Sequence, residues 1–268
     1  MTSPIPEGDP SSRLPSLPLS GKVALVTGGS RGIGRAIARK LASAGCDLAL
    51  NYYNSHDEAE ALAREITSAG RRAVLVPGNV GDPASVEEIF AQFEKEFGRL
   101  DLLISNAASG VLRPASELTL KHFRWCLETN ALALNLLAWR AAPLFKEGGR
   151  IIALSSLGAE RALPHYAFIG ASKAALESLV RTLAVEMAPR GIRVNAVSAG
   201  VVNTEALAHF PERERIAEEF RRRSVAGRLL EPEDVAGVVY LLCLPEADMV
   251  CGQTLRVDSV RQIASSCS

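Results

Sequence analysis

The side chains with most to offer chemically fall in one stretch, from Ser155-Ser156 through His165-Tyr166 to Gly170-Ala171-Ser172-Lys173-Ala174-Ala175-Leu176. A hydroxyl, a phenol and an ammonium together can polarise a carbonyl oxygen and hand it a proton. A free phenol has a pKa near 10 and needs a neighbouring cation to work near neutrality, and Lys173 is the cation at hand. Tyr166 and Lys173 stand seven positions apart. On a straight helix that spacing leaves them nearly in register but about 10 Å apart along the axis. The position one turn before the lysine is Ile169, which has no chemistry to offer. The pair therefore works only if the chain bends before Gly170 and carries Tyr166 back over the lysine, and Gly170 with the polar run before it suits a bend. The alternative is a structural tyrosine and a solvated lysine.

Reductive chemistry of this kind needs a hydride donor, and the upstream sequence is patterned to hold one. From Lys22 onward, short β-branched or Leu-rich runs alternate with longer amphipathic segments, which is the signature of βαβ units around a parallel sheet. The expected strands are 23–27, 48–51, 73–76, 100–105, 150–155, 193–198 and 254–258. This is an α/β chain: a single-domain, doubly wound, Rossmann-type parallel sheet of about seven strands with helices on both faces. Asp82-Pro83 and Glu231-Pro232 read as helix starts, while Gly45, Gly70 and Gly98 fall where helices should stop.

The first strand runs into Thr27-Gly28-Gly29-Ser30-Arg31-Gly32-Ile33-Gly34 and then a helical pattern. Glycines there let the backbone turn tightly and approach a pyrophosphate at the helix N-terminus, so Gly28, Ser30, Arg31, Gly32, Ile33 and Gly34 are candidate cofactor ligands. The second strand ends at Asn51-Tyr52-Tyr53-Asn54, where an NAD enzyme places a carboxylate for the adenosine ribose, and none is present. Arg31 is placed to meet a 2'-phosphate instead, which favours NADPH; the plainer reading is a solvated surface arginine. Asn79-Val80 closes the third strand and can meet the adenine, and Ser105-Asn106-Ala107-Ala108 closes the fourth. Ligands in open α/β sheets bind beyond the carboxyl ends of the strands, so these positions line one crevice.

Composition bounds the rest. A length of 268 residues with 47% hydrophobic content suits one large α/β domain, here residues 21–268, behind a flexible Pro/Ser-rich tail over 1–20 that is expected to be dispensable. Thirty acidic and thirty basic residues leave no electrostatic footprint for nucleic acid or an anionic membrane, and no apolar run approaches membrane-spanning length. A cytoplasmic protein acting on small molecules is the expectation. Cys46, Cys126, Cys243, Cys251 and Cys267 are scattered without metal-ligand spacing, so neither a zinc site nor a disulfide framework is indicated.

Taken together, Thr27-Gly28-x-x-x-Gly32-x-Gly34, Ser105-Asn106-Ala107-Ala108, Asn130, Ser156 and Lys173 resemble the short-chain dehydrogenase/reductase family over residues 21 to about 258. The usual Tyr-x-x-x-Lys of that family is absent, since Ile169 occupies the tyrosine position. Tyr166-x6-Lys173 is instead similar to the enoyl-acyl-carrier-protein reductases, in particular the Bacillus-type enoyl reductase III. So are Ala107-Ala108-Ser109-Gly110-Val111-Leu112-Arg113-Pro114, Ser155-Ser156-Leu157-Gly158 and Asn203-Thr204-Glu205-Ala206-Leu207-Ala208-His209-Phe210-Pro211.

The resemblance implies roles for positions in this chain. Ser156 would polarise the substrate oxygen, Tyr166 would donate to it, and Lys173 would bind the nicotinamide ribose while lowering the phenol's pKa. Asn130 would hold a proton-relay water, and Thr204, with Gly200 and Val202, would border the cofactor. It further implies reduction of enoyl thioesters carried on acyl carrier protein or coenzyme A, in fatty-acid elongation, by a homotetramer or dimer. Asp258-Ser259-Val260 departs from the family's Asp-Gly-Gly near a subunit contact and the substrate mouth. The charged segment from Glu205 to Gly227 resembles the family's lid, and its Arg221-Arg222-Arg223 could dock an acidic carrier protein or be simply a solvated helix face. A carbonyl reductase on the same scaffold and a non-catalytic nucleotide-binding protein remain as other readings.

Overall fold

The structure is a computed structural model, and it describes residues 17–259 of the chain. Seven strands, β1 (Val23–Val26), β2 (Asp47–Tyr52), β3 (Ala73–Pro77), β4 (Leu102–Ser105), β5 (Gly149–Ser156), β6 (Ile192–Ala199) and β7 (Thr254–Val257), form one sheet. Their order is β3-β2-β1-β4-β5-β6-β7, with every neighbouring pair parallel. Parallel strands are covered on both faces and so read as unbroken apolar runs. Val23-Ala24-Leu25-Val26 is buried at all its positions for that reason. The strands expected from sequence lie within two residues of these bounds at each end.

Helices α1 (Gly32–Ser43), α2 (His56–Ser68) and α8 (Pro232–Cys243) share one core with one face of the sheet. Helices α3 (Pro83–Glu96), α5 (Ala133–Ala141) and α6 (Ala167–Met187) share a second core with the other face. Helix α4 (Leu120–Leu127) runs into α5 through a π-helical turn, Glu128–Leu132, and α7 (Arg213–Arg223) lies between β6 and α8. The expected helix boundaries appear. Asp82 Oδ1 accepts from Ala84 N at 3.1 Å with Pro83 next in line, and α1, α2 and α3 stop just short of Gly45, Gly70 and Gly98. Cys46, Cys126 and Cys243 are buried free thiols, and burial pushes Cys243 up to about 12. Among the described residues no helix is long and apolar enough to cross a membrane.

One boundary differs from expectation. Residues 1–16 of the expected tail and residues 260–268, with Val260 and Cys267, lie outside the described residues. Leu17–Ser20, however, form a turn that belongs to the fold: Leu19 N donates to Ala44 O at 2.8 Å, and Leu19 is 2% exposed within the first core. A single apolar side chain after a proline-rich run carries no periodicity to announce this.

Candidate active site

Strand β1 sits where the sheet order turns back, between β2 and β4, and the carboxyl ends of β1 and β4 open the crevice there. The turn after β1 is stitched to the end of β4. Thr27 Oγ1 donates to Ile104 O at 3.3 Å and accepts from the backbone N–H groups of Asn106 (3.0 Å) and Ala107 (3.1 Å). Asn106 Nδ2 donates back to the carbonyls of Thr27 (2.9 Å) and Gly28 (3.0 Å). Close approach requires glycine at two positions. A Cβ on Gly28 (φ +60°) would meet Ala107 Cα at 3.0 Å, and one on Gly34 would run into the Gly28 carbonyl and the Asn106 amide. Helix α1 then starts with no side chain capping its N-terminus, which leaves its first N–H groups for an anion. Gly32 faces Thr204 across this opening, so that a Cβ there would stand 3.6 Å from Thr204 Cγ2. Ile33 packs its half-buried side chain on the first core.

At the adenosine end, Ser30 Oγ and Ser55 Oγ are 2.7 Å apart, Ser55 being the residue before α2. Arg31 is exposed and makes no hydrogen bond or ion pair among the described residues. The Asn51 amide donates to Val76 O (3.0 Å) and Gly78 O (3.1 Å), so it ties β2 to β3 and turns away from a ribose. Asn79 takes Ser85 Oγ at its N–H (2.8 Å), and Val80 is buried in the second core.

The reactive cluster lies at the end of β5. Tyr166 OH donates to Ser156 Oγ at 3.3 Å, a long contact for two hydroxyls and one with room to tighten. The bend that makes this possible falls before Gly170, as the spacing required. It lies at His165, whose φ of +62° is left-handed, so that Tyr166 is the cap residue and α6 begins at Ala167. Gly170 lies inside the helix and serves close packing instead, since a Cβ there would meet Gly158 O at 2.6 Å. Gly158 in turn lies under the Tyr166 ring, in space a Cβ would take from it. Ile169, at the family's tyrosine position, points into the space in front of Gly110.

Lys173 is 5% exposed and donates to Leu154 O at 2.6 Å. Burial pushes its ammonium down to about 8, with the Glu177 carboxylate acting against that. Burial pushes the Tyr166 phenol up, the Ser156 hydroxyl partly offsetting it and Cys126 adding to it. Asn130 occupies the π-helical turn, a distortion frequent at functional sites. Its Nδ2 donates to Ser109 O and to Ser172 Oγ, both at 2.9 Å, and its Oδ1 accepts from Ser109 N at 2.8 Å. Both amide protons are spent on the protein, so only acceptor positions are left for a water.

A family model described as enoyl-(acyl carrier protein) reductase matches residues 28–259. The chain belongs to the short-chain dehydrogenase/reductase family. It is 35% identical to a hydroxynaphthalene reductase of Aspergillus fumigatus, with 88% of this chain and 91% of that protein covered. It is 37% identical to a 1-cyclohexenylcarbonyl-CoA reductase of Streptomyces collinus, with 88% and 85% covered. A short-chain dehydrogenase from Burkholderia cenocepacia J2315, solved in complex with NADP, superposes with a TM-score of 0.84 at 36% identity, covering 90% of this chain and 98% of the other. The chain is therefore a reductase of the NAD(P)-dependent type on a Rossmann scaffold.

In this short-chain dehydrogenase/reductase several site residues escape sequence reasoning. Phe210 stacks on the Tyr166 ring with centroids 5.9 Å apart and planes at 26°. Thr204 follows Val202, which bridges to Leu230, and Gly200 is small because Phe220 of α7 comes within 3.0 Å of where its Cβ would be. Ser259 stands at φ +53° where the family has glycine, and its hydroxyl accepts from Ser224 Oγ at 2.9 Å at the end of α7. Ser55, Ser172, Glu177 and Phe210 lie far along the chain from the partners Ser30, Asn130, Ser155 and Tyr166, and no local spacing marks those contacts.

Proposed function

We propose that this chain is an NADPH-dependent reductase of the 2,3 double bond of enoyl thioesters, of the kind carried on acyl carrier protein or coenzyme A. The observation that carries the reading is the register of the acid: the phenol paired with Ser156 comes from Tyr166, while the usual position is filled by Ile169. When an enoyl thioester is reduced, the carbon that takes the hydride lies two bonds beyond the carbonyl carbon. The oxygen needing support is therefore farther from the donor than in a ketone. A phenol supplied from before the helix, at a left-handed bend, can follow that oxygen outward while Lys173 stays fixed on β5. The Tyr166 hydroxyl, aided by Ser156, would donate to the oxygen and strengthen its bond as enolate charge develops.

The residues present fit a phosphorylated dinucleotide, which when bound supplies the hydride. The uncapped N–H groups of α1 and the glycine cradle suit the pyrophosphate, Lys173 the nicotinamide ribose, and Arg31 beside the Ser30–Ser55 pair the 2'-phosphate. The description of the matching family model and a relative named for reducing an unsaturated coenzyme A thioester support the enoyl reading. Exposed Trp125, Leu132 and Trp139 along α4–α5 support a homo-oligomer, which light scattering would report.

A second reading, a carbonyl reductase, is favoured by the same Tyr166–Ser156 pair, which can protonate an alkoxide, and by the relative named hydroxynaphthalene reductase. Following NADPH absorbance with crotonyl thioester, acetoacetyl thioester and no substrate separates the two. Turnover of crotonyl thioester is expected; turnover of acetoacetyl thioester alone would put the carbonyl reading in its place.

A further inference from the structure

Two consecutive residues at the tip of β5 are held by two consecutive turns of α6. Lys173 Nζ donates to Leu154 O at 2.6 Å, and one turn later Glu177 Oε1 accepts from Ser155 Oγ at 2.5 Å. The next strand residue is Ser156, the partner of Tyr166. Strand alternation divides the labour: Ile151 and Ala153 pack in the core shared with α6, as Ser155 would continue, while Ile152 and Leu154 pack in the other. One serine is thus left for the cleft and its neighbour is tied to the helix. Glu177 is 7% exposed, a burial that carboxylates seldom tolerate unless partnered, and the chemistry described above makes no use of it.

We propose that Glu177 is a positioning residue: through Ser155 it fixes the strand tip that carries Ser156, and from one turn along α6 it supplies the negative charge that faces the buried Lys173. The inference rests on reading Lys173 as the cofactor-ribose ligand. Around the carboxylate stand Lys173 and Arg181, one turn before and after it on α6, Arg256 on β7, and Glu160 beyond β5, the last two joined as an ion pair. Burial pushes Glu177 up and the Ser155 hydroxyl holds it down; Glu160 adds to the rise, and Arg181 and Arg256 oppose it. Burial lowers Lys173, and the Glu177 charge is what resists.

Glu177→Gln keeps an acceptor for Ser155 and removes the charge, so Lys173 should lose its proton at lower pH. Fluorescence titration with NADPH alone, across pH, reads this directly. The variant should match wild type within about twofold near pH 6, where Lys173, pushed down to about 8, still carries its proton in either protein, and fall progressively behind above neutrality. The alkaline limb of affinity should move down by roughly half a unit or more. Glu177→Met, of similar length and also neutral, should show the same shift and carries the test if the glutamine variant folds poorly. Ser155→Ala cuts the tie but keeps the charge, and should lower crotonyl turnover at all pH values without moving the limb. Affinity lost by one constant factor at every pH, or not lost at all, would overturn the proposal. Because the titration contains no acyl substrate, a wild-type protein inactive on crotonyl thioester would remove the enoyl reading while leaving this result standing.

Discussion

The glycine-rich turn from Thr27 to Gly34 and the segment from Glu205 to Ser224 both border the cleft, and they are held in different ways. In the turn, Thr27 and Ser30 are buried and five hydrogen bonds through Thr27 and Asn106 join it to β4. In the second segment the short helix Glu205–His209 buries nothing, and α7 buries only Ala217 and Phe220. Its ion pairs, Arg215 with Glu212 and Glu219, Arg221 with Glu218 and Arg223 with Glu219, run along its own surface and contribute little. Helix α7 even starts from Glu212 at φ +57°, with no capping side chain. Its ties to the rest of the site include Phe220 under Gly200, the Ser224–Ser259 bond and Phe210 on Tyr166. A rigid turn can hold a cofactor in one place, whereas a weakly packed cover can open for a substrate without disturbing the sheet.

Tyr166 lies against the second region, through Phe210, and pairs with Ser156 in the cleft, and the largest effect is expected there. Tyr166→Phe should lower crotonyl reduction by roughly a hundredfold or more, by loss of the acid and oxyanion donor, while NADPH titrates as in wild type. Adding Ile169→Tyr should not restore it, because that phenol would serve the carbonyl geometry. Full crotonyl turnover by Tyr166→Phe would sink the enoyl assignment. On the rigid side, Arg31→Ala should weaken NADPH by about tenfold to a hundredfold, the worth of a charge-assisted contact, and NADH far less. Equal losses for both cofactors would mean that Arg31 does not read the 2'-phosphate.

Smaller effects sharpen the contrast in stability. A chain beginning at Gly21 lacks Leu19, whose burial is worth about 1.5–3 kcal/mol, and should melt several degrees lower. An unchanged melting curve would show that the Leu17–Ser20 turn is not part of the cooperative core. Phe210→Ala, by contrast, should leave melting nearly untouched and raise KM for the acyl substrate up to about tenfold, since an aromatic pair is worth about 0.5–1.5 kcal/mol. If it lowered the melting temperature as far as the truncation does, the cover would not be the loosely held region described.

Much of this was legible in the amino-acid order because it is local. Unbroken apolar runs mark strands covered on both faces, Asp82-Pro83 caps its helix through its own neighbours, and the glycines of the first turn are needed by the backbone they belong to. The sequence by itself determined the doubly wound sheet, the crevice at the ends of β1 and β4, and the candidacy of Ser156, Tyr166 and Lys173, the first two of which share a hydrogen bond. Only the tertiary structure decided which residue before Gly170 makes the bend, His165; that Asn130 spends its amide protons on Ser109 and Ser172; that Leu19 enters the core; and that Leu154 and Ser155 are held by Lys173 and Glu177 on consecutive turns of α6. Each of these depends on partners brought together from distant positions, and the free energy of such a contact comes from burial and geometry that no spacing along the chain records.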